Sequence, residues 1–341
     1  MLISTGHDQM GIKKELLGMA CAAALGLGGY QGAAACAFHG YTPNPTLVDV
    51  LLSTEQVVIA RLDPANPRRF VAAQTLMGPD AIDIPLRPKA ATRARLTASP
   101  GAAVLLARDG AYGAWLDLAV LDARYQSVVT EVVARQAAWV SGAAADRLAL
   151  FAGLVNDPNP DLRRLALQEL DRVPYSALKS ARLPKINTLS QQLRRADEEV
   201  LPILILLAGL SGERGFAALL RAELDKAIRG DAPYLGAYAT ALIELEGTSA
   251  VEEILHIYLR SESLSPQTQA KLLDALALQH KTAERMTRRD IERGVAALMR
   301  DNPTLREVAA RQFGFRNTWR LAGTAPVAKG TAPRNAPDIG R

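Results

Sequence analysis

Cysteine is nearly absent from this chain. Two residues in 341, Cys21 and Cys36, cannot build a disulfide framework or a four-cysteine zinc site. Histidine is also scarce, and of the four only His39 stands near a thiol, in Cys36-Ala37-Phe38-His39. Two ligands do not make a metal site, and His256 and His280 lie far off in helical sequence, so no metal is expected. No Walker-type loop, His-Glu-x-x-His pair, Gly-x-Ser-x-Gly elbow or EF-hand loop occurs, and each absence removes a large enzyme class. The glycines Gly26, Gly28, Gly29 and Gly32 look like a dinucleotide loop but follow no strand, so no cofactor is expected. Excess charge is lacking too. Forty basic residues stand against 35 acidic ones for a net +5, short of the density of a dedicated nucleic-acid binder. What is present, 49% apolar and 22% charged residues, is the composition of a folded protein, and the length suits two domains.

The first segment reads as an address. Lys13 and Lys14 precede an uncharged run from Leu16 to Tyr30, and Gln31-Gly32-Ala33-Ala34-Ala35 follows, the charged, apolar and small-residue parts of a secretory signal. The run is short for a membrane span. Residues 1–35 are therefore expected to be a leader, with Ala35 and Cys36 as the processing site and Cys36 as the first mature residue. Glu15 sits awkwardly beside the lysines, and a buried amphipathic helix is the other reading. One remaining cysteine allows no intramolecular disulfide, so the thiol is free, lipidated or paired between chains. A lipoprotein signal usually has Leu where this chain has Ala33, which favours plain cleavage.

Residues 36–122 read as a β-rich domain. Val57-Val58-Ile59-Ala60 is a short β-branched run closed by the turn Asp63-Pro64-Ala65-Asn66-Pro67. Further strands are expected at Arg69 to Leu76, at Ala81 to Leu86 from the alternation of Ile82 and Ile84, at Ala103 to Ala107, and at Tyr112 to Val120 beyond the turn Arg108-Asp109-Gly110. Five short strands close most economically as a barrel. The order resembles netrin-like modules of the OB-fold class: a strand Glu55 to Arg61, a returning strand ending at Leu76-Met77-Gly78, then Pro100-Gly101 before Val104-Leu105-Leu106. Inhibitory netrin-like proteins tie an amino-terminal cysteine into a disulfide. Cys36 fits that position but has no mature partner, so protease inhibition does not carry over.

From Ala123 the apolar period becomes helical. Tyr125, Val128, Val129, Val132, Val133 and Trp139 define an amphipathic helix ended by Ser141-Gly142. Residues 123–321 are expected to hold helical pairs, with helices at 144–155, 160–172, 197–210, 213–229, 233–245, 248–260, 266–280, 288–300 and 303–312, and a shorter, irregular pair within 173–195. Leu201 to Leu210 is apolar on every side, which marks an inner layer. The string Asp157-Pro158-Asn159-Pro160-Asp161-Leu162-Arg163-Arg164-Leu165-Ala166 resembles the inter-helix turn of HEAT repeats. A related string, Asp301-Asn302-Pro303-Thr304-Leu305-Arg306-Glu307-Val308-Ala309, recurs at an offset of about 143, close to four periods of roughly 36. Leu210-Ser211-Gly212 and Leu245-Glu246-Gly247 repeat the period once more. The fold class expected is α+β: a small barrel-like β domain followed by an α-α superhelix, a HEAT-like solenoid.

Residues 322–341, rich in Ala, Pro, Gly and Thr, read as a disordered tail. The stretch Glu284 to Arg320 is the most basic of the mature chain, with Arg288, Arg289 and Arg293 as a candidate anion-binding centre and Phe313, Phe315 and Trp319 interleaved. A solvated terminal repeat, its aromatics capping the last core layer, explains the same residues. The carboxylate pairs Glu198-Glu199 and Glu252-Glu253 suit helix starts. The function expected is non-catalytic: an exported protein, periplasmic or secreted, binding a protein or cell-envelope partner, with membrane contact only through the leader or a lipid at Cys36. The alternative, resting on the arginine-rich end, is a cytoplasmic DNA-binding enzyme similar in scaffold to the HEAT-like DNA glycosylases.

Overall fold

The computed structural model of the protein describes residues 43–110, 112–230, 234–261 and 263–313. The expected leader with Ala35 and Cys36, residues 322–341, and Phe315 and Trp319 lie outside the described residues. The fold is α+β, with fourteen α-helices and one four-stranded antiparallel sheet among the described residues. The chain divides between Pro184 and Lys185 into two compact units. The change of period at 122–123 marks a change of element within the first unit.

In that first unit, α1 (Leu47–Ser53) leads into the hairpin β1 (Gln56–Leu62) and β2 (Phe70–Met77). Next come α2 (Ala90–Ala98) and the hairpin β3 (Ala103–Arg108) and β4 (Leu116–Leu121). The sheet order is β2-β1-β3-β4, so the connection through α2 carries the chain across β1. β1 and β3 pair from Gln56 with Arg108 to Ala60 with Val104 and are buried on both faces. Val58, Ala60, Val104 and Leu106 pack with Leu96 of α2, Ile84 and Trp115. The opposite face, bearing Val57, Ile59 and Leu105, lies under α3 (Ala123–Val140), which touches both outer strands. Burying two sheet faces accounts for the continuous, rather than alternating, apolar character of the central strands.

The five-strand barrel does not form among the described residues: four strands are present, and β2 and β4 stand at opposite edges. Ala81 to Leu86 is irregular. Pro85 removes a ladder donor, and while Ile84 is buried, Ile82 is fully exposed, so two residues of like parity do not share a face. The stretch read as β-rich also holds two helices, α1 and α2. At the turn after β2, Gly78 has φ +82, and a Cβ there would meet Glu55 O at 2.6 Å, so only glycine fits.

The first unit continues with α4 (Ala144–Leu154), α5 (Pro160–Asp171) and α6 (Tyr175–Ser180). The second contains α7 (Leu189–Arg195), α8 (Leu201–Leu210), a 3₁₀ turn Arg214–Phe216 and α9 (Ala217–Gly230). After these come α10 (Leu235–Glu246), α11 (Thr248–Glu253) with a π-helical turn Ile254–Tyr258, α12 (Pro266–Thr282), α13 (Arg285–Asp301) and α14 (Pro303–Phe313). α8 packs on α10, α10 on α12 and α12 on α14, while α9 and α11 pack on α10 and α11 on α13. α8 is buried from Pro202 to Gly209. Its Gly209 lies so close to α10 that an added Cβ would stand 2.6 Å from Ala241 Cα.

The related strings have the same local structure. Asn159 accepts from the amides of Asp161 (2.8 Å) and Leu162 (3.2 Å), and Asn302 from those of Thr304 (3.0 Å) and Leu305 (3.3 Å). Each asparagine caps a helix whose first residue is proline. Leu162, Ala166, Leu305 and Ala309 are all buried. Arg163 and Arg306 each donate back to carbonyls of the preceding segment, Asp157 O and Pro158 O in one case and Met299 O in the other. The repeated glycines Gly212 and Gly247 both take positive φ, 67° and 58°, just past the ends of α8 and α10, where a left-handed residue turns the chain.

Candidate functional site

α4 starts after Gly142, whose φ of 105° reverses the chain leaving α3. It is fastened to that helix by Trp139 Nε1 donating to Asp146 Oδ2 at 2.8 Å, with Arg135 donating to the same carboxylate. Phe151 on the inner side of α4 packs against the Trp139 ring. Ala145, Ala149 and Gly153, spaced by four, therefore lie along the outer side of the helix and are exposed. α5 runs back beside α4, and the turn Val173-Pro174 redirects the chain into α6. The three helices enclose an open groove of about 1110 Å³, with Ala145, Ala149 and Gly153 on one wall and Pro174, Ala177 and Ala181 on the other.

Four of its polar residues, Asp49, Arg147, Glu169 and Arg172, form one network at the base, while Ser180 and Arg182 belong to the α6 side. Arg147 of α4 donates from Nε to Glu169 Oε2 at 2.6 Å, and from Nη2 to Glu169 Oε1 at 3.0 Å and Asp49 Oδ1 at 2.9 Å. Thr46, the capping residue of α1, donates its hydroxyl to Glu169. Asp49 also accepts the Thr46 amide at 2.9 Å and pairs with Arg172 Nε at 3.0 Å. Arg172 reaches on to the carbonyls of Pro43 and Asn44 at 3.2 and 3.3 Å. Burial opposes ionisation of Asp49, but the Thr46 amide, Arg147 and Arg172 together hold its carboxyl below the usual value. Burial likewise opposes the charge on Arg147, and Glu169 and Asp49 outweigh it, so the guanidinium is held protonated more firmly than a free one. Two cations and two anions neutralise one another here. The groove thus presents largely apolar walls, with Arg182 exposed on one side, over a neutral, internally satisfied floor, suited to taking up a mainly apolar ligand by burial and shape.

One signal of this network is readable in the sequence. Glu169 falls on the apolar stripe of α5 set by Leu162, Leu165 and Ala166, where a charge must find a partner. Nothing in the sequence identifies Arg147, Asp49 and Arg172 as those partners.

The candidate anion-binding arginines lie on α13. Arg288, Arg289 and Arg293 are exposed; Arg288 donates to Ala283 O at 3.2 Å and Arg293 pairs with Asp290 at 2.7 Å. Arg289 and Arg293 share a stripe with Arg285, four residues apart. At the end of the same bundle Phe313 meets the His280 ring edge-on, and His280 bonds Glu292 at 2.9 Å.

Glu252-Glu253 does not sit at a helix start. Glu253 lies at the end of α11 and, with Glu246, receives Arg221 of α9. Tyr258, in the π-helical turn, donates to Asp225 at 2.5 Å and Glu253 at 3.1 Å. Burial first, then these carboxylates, push its phenol far above its ordinary value. This cluster ties α9, α10 and α11 together.

Among the described residues no group of three His, Cys, Asp or Glu is placed to hold a metal ion, and no helix is long and apolar enough to cross a membrane. Comparison of the chain with protein-family profiles, curated proteins and solved structures yields no match.

Proposed function

We propose that this chain is a non-catalytic, exported binding protein, periplasmic or secreted, that takes an apolar segment of a protein or cell-envelope partner into the groove of α4, α5 and α6. The observation that carries the reading is the groove itself, an open, largely apolar volume of about 1110 Å³ whose floor residues Asp49, Arg147, Glu169 and Arg172 are engaged with one another, with Arg182 the further cation in its lining. For the second unit the finer architecture proposed is a HEAT-like α-α superhelix. The consecutive packing of α8, α10, α12 and α14, with α9, α11 and α13 beside them, and the shared Asn-Pro caps support it. The likeness of the first unit to netrin-like modules rests on its sequence strings alone.

Two measurements test the proposal. Cell fractionation with amino-terminal sequencing should find a form beginning at Cys36 outside the cytoplasm; an intact amino terminus in the cytoplasm would sink the export reading. That processed form should bind a hydrophobic reporter dye at neutral pH, and Ala149→Glu should abolish the signal by placing a charge on the apolar wall. Dye uptake indifferent to Ala149→Glu removes the groove from the argument. The alternative, a DNA-binding enzyme, draws on the exposed arginines of α13. Salt-sensitive retention on DNA, lost in an Arg288→Gln, Arg289→Gln, Arg293→Gln triple variant, would favour it.

A further inference from the structure

We infer that the ligand of the groove is a free fatty acid, its hydrocarbon chain lying along the alanine walls and its carboxylate paired with Arg182. This inference rests on the groove of α4, α5 and α6 being an apolar binding site, and assigns it to the lipid chemistry of a cell envelope rather than to a protein segment.

Charge is the first argument. Five ionisable residues line the groove: the carboxylates of Asp49 and Glu169 and the guanidiniums of Arg147, Arg172 and Arg182. Both carboxylates are engaged with Arg147 and Arg172. Arg182 makes no ion pair or side-chain hydrogen bond among the described residues, so the lining carries one unmatched positive charge. This residue stands two positions past the end of α6. At Ala181 the backbone has left the helix, with φ −73 and ψ 142, and the Arg182 side chain is exposed. An exposed guanidinium keeps its hydration until an anion arrives, and its planar fork takes a carboxylate through two parallel hydrogen bonds. An uncharged ligand would leave that charge unmatched. A doubly charged one would bring a second negative charge to a floor already neutral.

The remaining lining favours a hydrocarbon chain over a peptide. Ala145, Ala149, Gly153, Pro174, Ala177 and Ala181 offer no side-chain hydrogen bond, and the Ser180 hydroxyl already donates to Ser176 O at 2.7 Å. An extended peptide pressed on these walls would bury main-chain N–H and C=O groups with nothing to receive them. A polymethylene chain has no such groups, and burial alone drives it in. The eleven residues of α4 rise about 16 Å, a wall along which a chain of decanoate's length lies extended.

The test pairs a change in the ligand's head with a change at Arg182. Nile red, an uncharged dye, is bound to the full chain at neutral pH and low salt, and its displacement by decanoate, decanol and decylamine is followed by fluorescence, each below its micelle-forming concentration. Arg182→Gln should weaken decanoate about three- to fivefold, the loss of one exposed ion pair, and leave decanol within roughly twofold. Arg182→Lys should restore most of the decanoate affinity, and Arg182→Glu should turn the preference towards decylamine. The exposed position lets these variants keep the fold, which near-ultraviolet circular dichroism checks.

A response to Arg182→Gln that is the same for decanoate and decanol overturns the inference, because Arg182 then does not read the head. So does a leucine-alanine peptide, blocked at both ends, that displaces the dye better than decanoate, since the groove then takes a protein segment. In both cases the groove reading survives if Ala149→Glu abolishes dye uptake. Dye uptake indifferent to Ala149→Glu brings down both.

Discussion

Glu169→Gln isolates the contribution of the network beneath the groove. The Glu169 side chain is 3% exposed and Arg147 22%, and the carboxylate receives two bonds from Arg147 and one from Thr46. Glutamine keeps the shape but offers a single acceptor, and its amide directs donors at a guanidinium that has only donors. Breaking a fully buried pair costs about 3–5 kcal/mol. Arg147 retains Asp49 and some solvent, so the expected loss is about 2–3 kcal/mol, or a fall in Tm of about 7–10 °C for a unit of this size. Urea unfolding followed by tryptophan fluorescence reads it directly, because Trp115 and Trp139 both lie in the first unit. The combination Arg147→Met with Glu169→Leu should recover most of the loss, since apolar residues of similar volume replace a buried pair at little cost. A loss below about 0.5 kcal/mol for Glu169→Gln would refute the reasoning, as would a double variant whose loss equals the sum of the singles.

Three further outcomes are expected. Burial raises the Asp274 pKa to about 6 against a weak opposing pull from Lys281, so the folded state holds a proton that the unfolded chain releases near pH 3.8. Stability of the second unit should therefore fall as pH rises from about 4 to 6, and Asp274→Asn should flatten that slope, gaining on the order of 1 kcal/mol at pH 7 after allowance for solvent screening; a slope unchanged in the variant would reject this. Gly209→Ala places a methyl against the backbone of Ala241 and should cost about 1–3 kcal/mol. Gly294→Ala meets the end of the Leu255 side chain rather than backbone, which a rotamer change can relieve, and should cost less, an ordering that chemical denaturation checks. Asn159→Ala and Asn302→Ala each remove two bonds to helix-start amides and should each lower stability by about 1 kcal/mol; equal and negligible effects would deny the two caps their shared role.

The helical part was legible because its signals are local. Asn159-Pro160 and Asn302-Pro303 fix helix starts, Gly212 and Gly247 fix ends, and the apolar period fills the span between them, so α4, α5, α8, α10 and α12 to α14 begin and end within a few residues of expectation, whereas the helix expected at 248–260 is α-helical only to Glu253 and continues as a π-helical turn to Tyr258. α2 escaped because Ala90-Ala91-Thr92-Arg93-Ala94-Arg95-Leu96-Thr97-Ala98 carries one large apolar residue and buries only Thr92 and Leu96, too little for a period to show. α1 escaped for the opposite reason. Leu47-Val48-Asp49-Val50-Leu51-Leu52 is apolar at every position but Asp49, a short run in which strand and buried helix look alike. The groove could not be read at all, because its walls are alanines, glycine and prolines that carry no chemistry in one dimension and acquire meaning only when α6 is set opposite α4.

The outer strand β2 carries no charged residue from Phe70 to Met77, and four of its eight residues are exposed. Such a border usually invites a neighbouring molecule to add a strand. Here the ladder is uneven: Val57 faces Met77 and Leu62 faces Phe70, with irregularities between Val57 and Val58 and between Ile59 and Ala60, so eight residues of β2 stand against six of β1. Each extra residue bends and twists the strand. Resistance to sticking is thus written into the count of residues rather than into their charge, and it is fragile to deletion rather than to substitution. Shortening β2 by Ala73 and Leu76, the two that the ladder skips, is expected to straighten the border and favour edge-to-edge assembly.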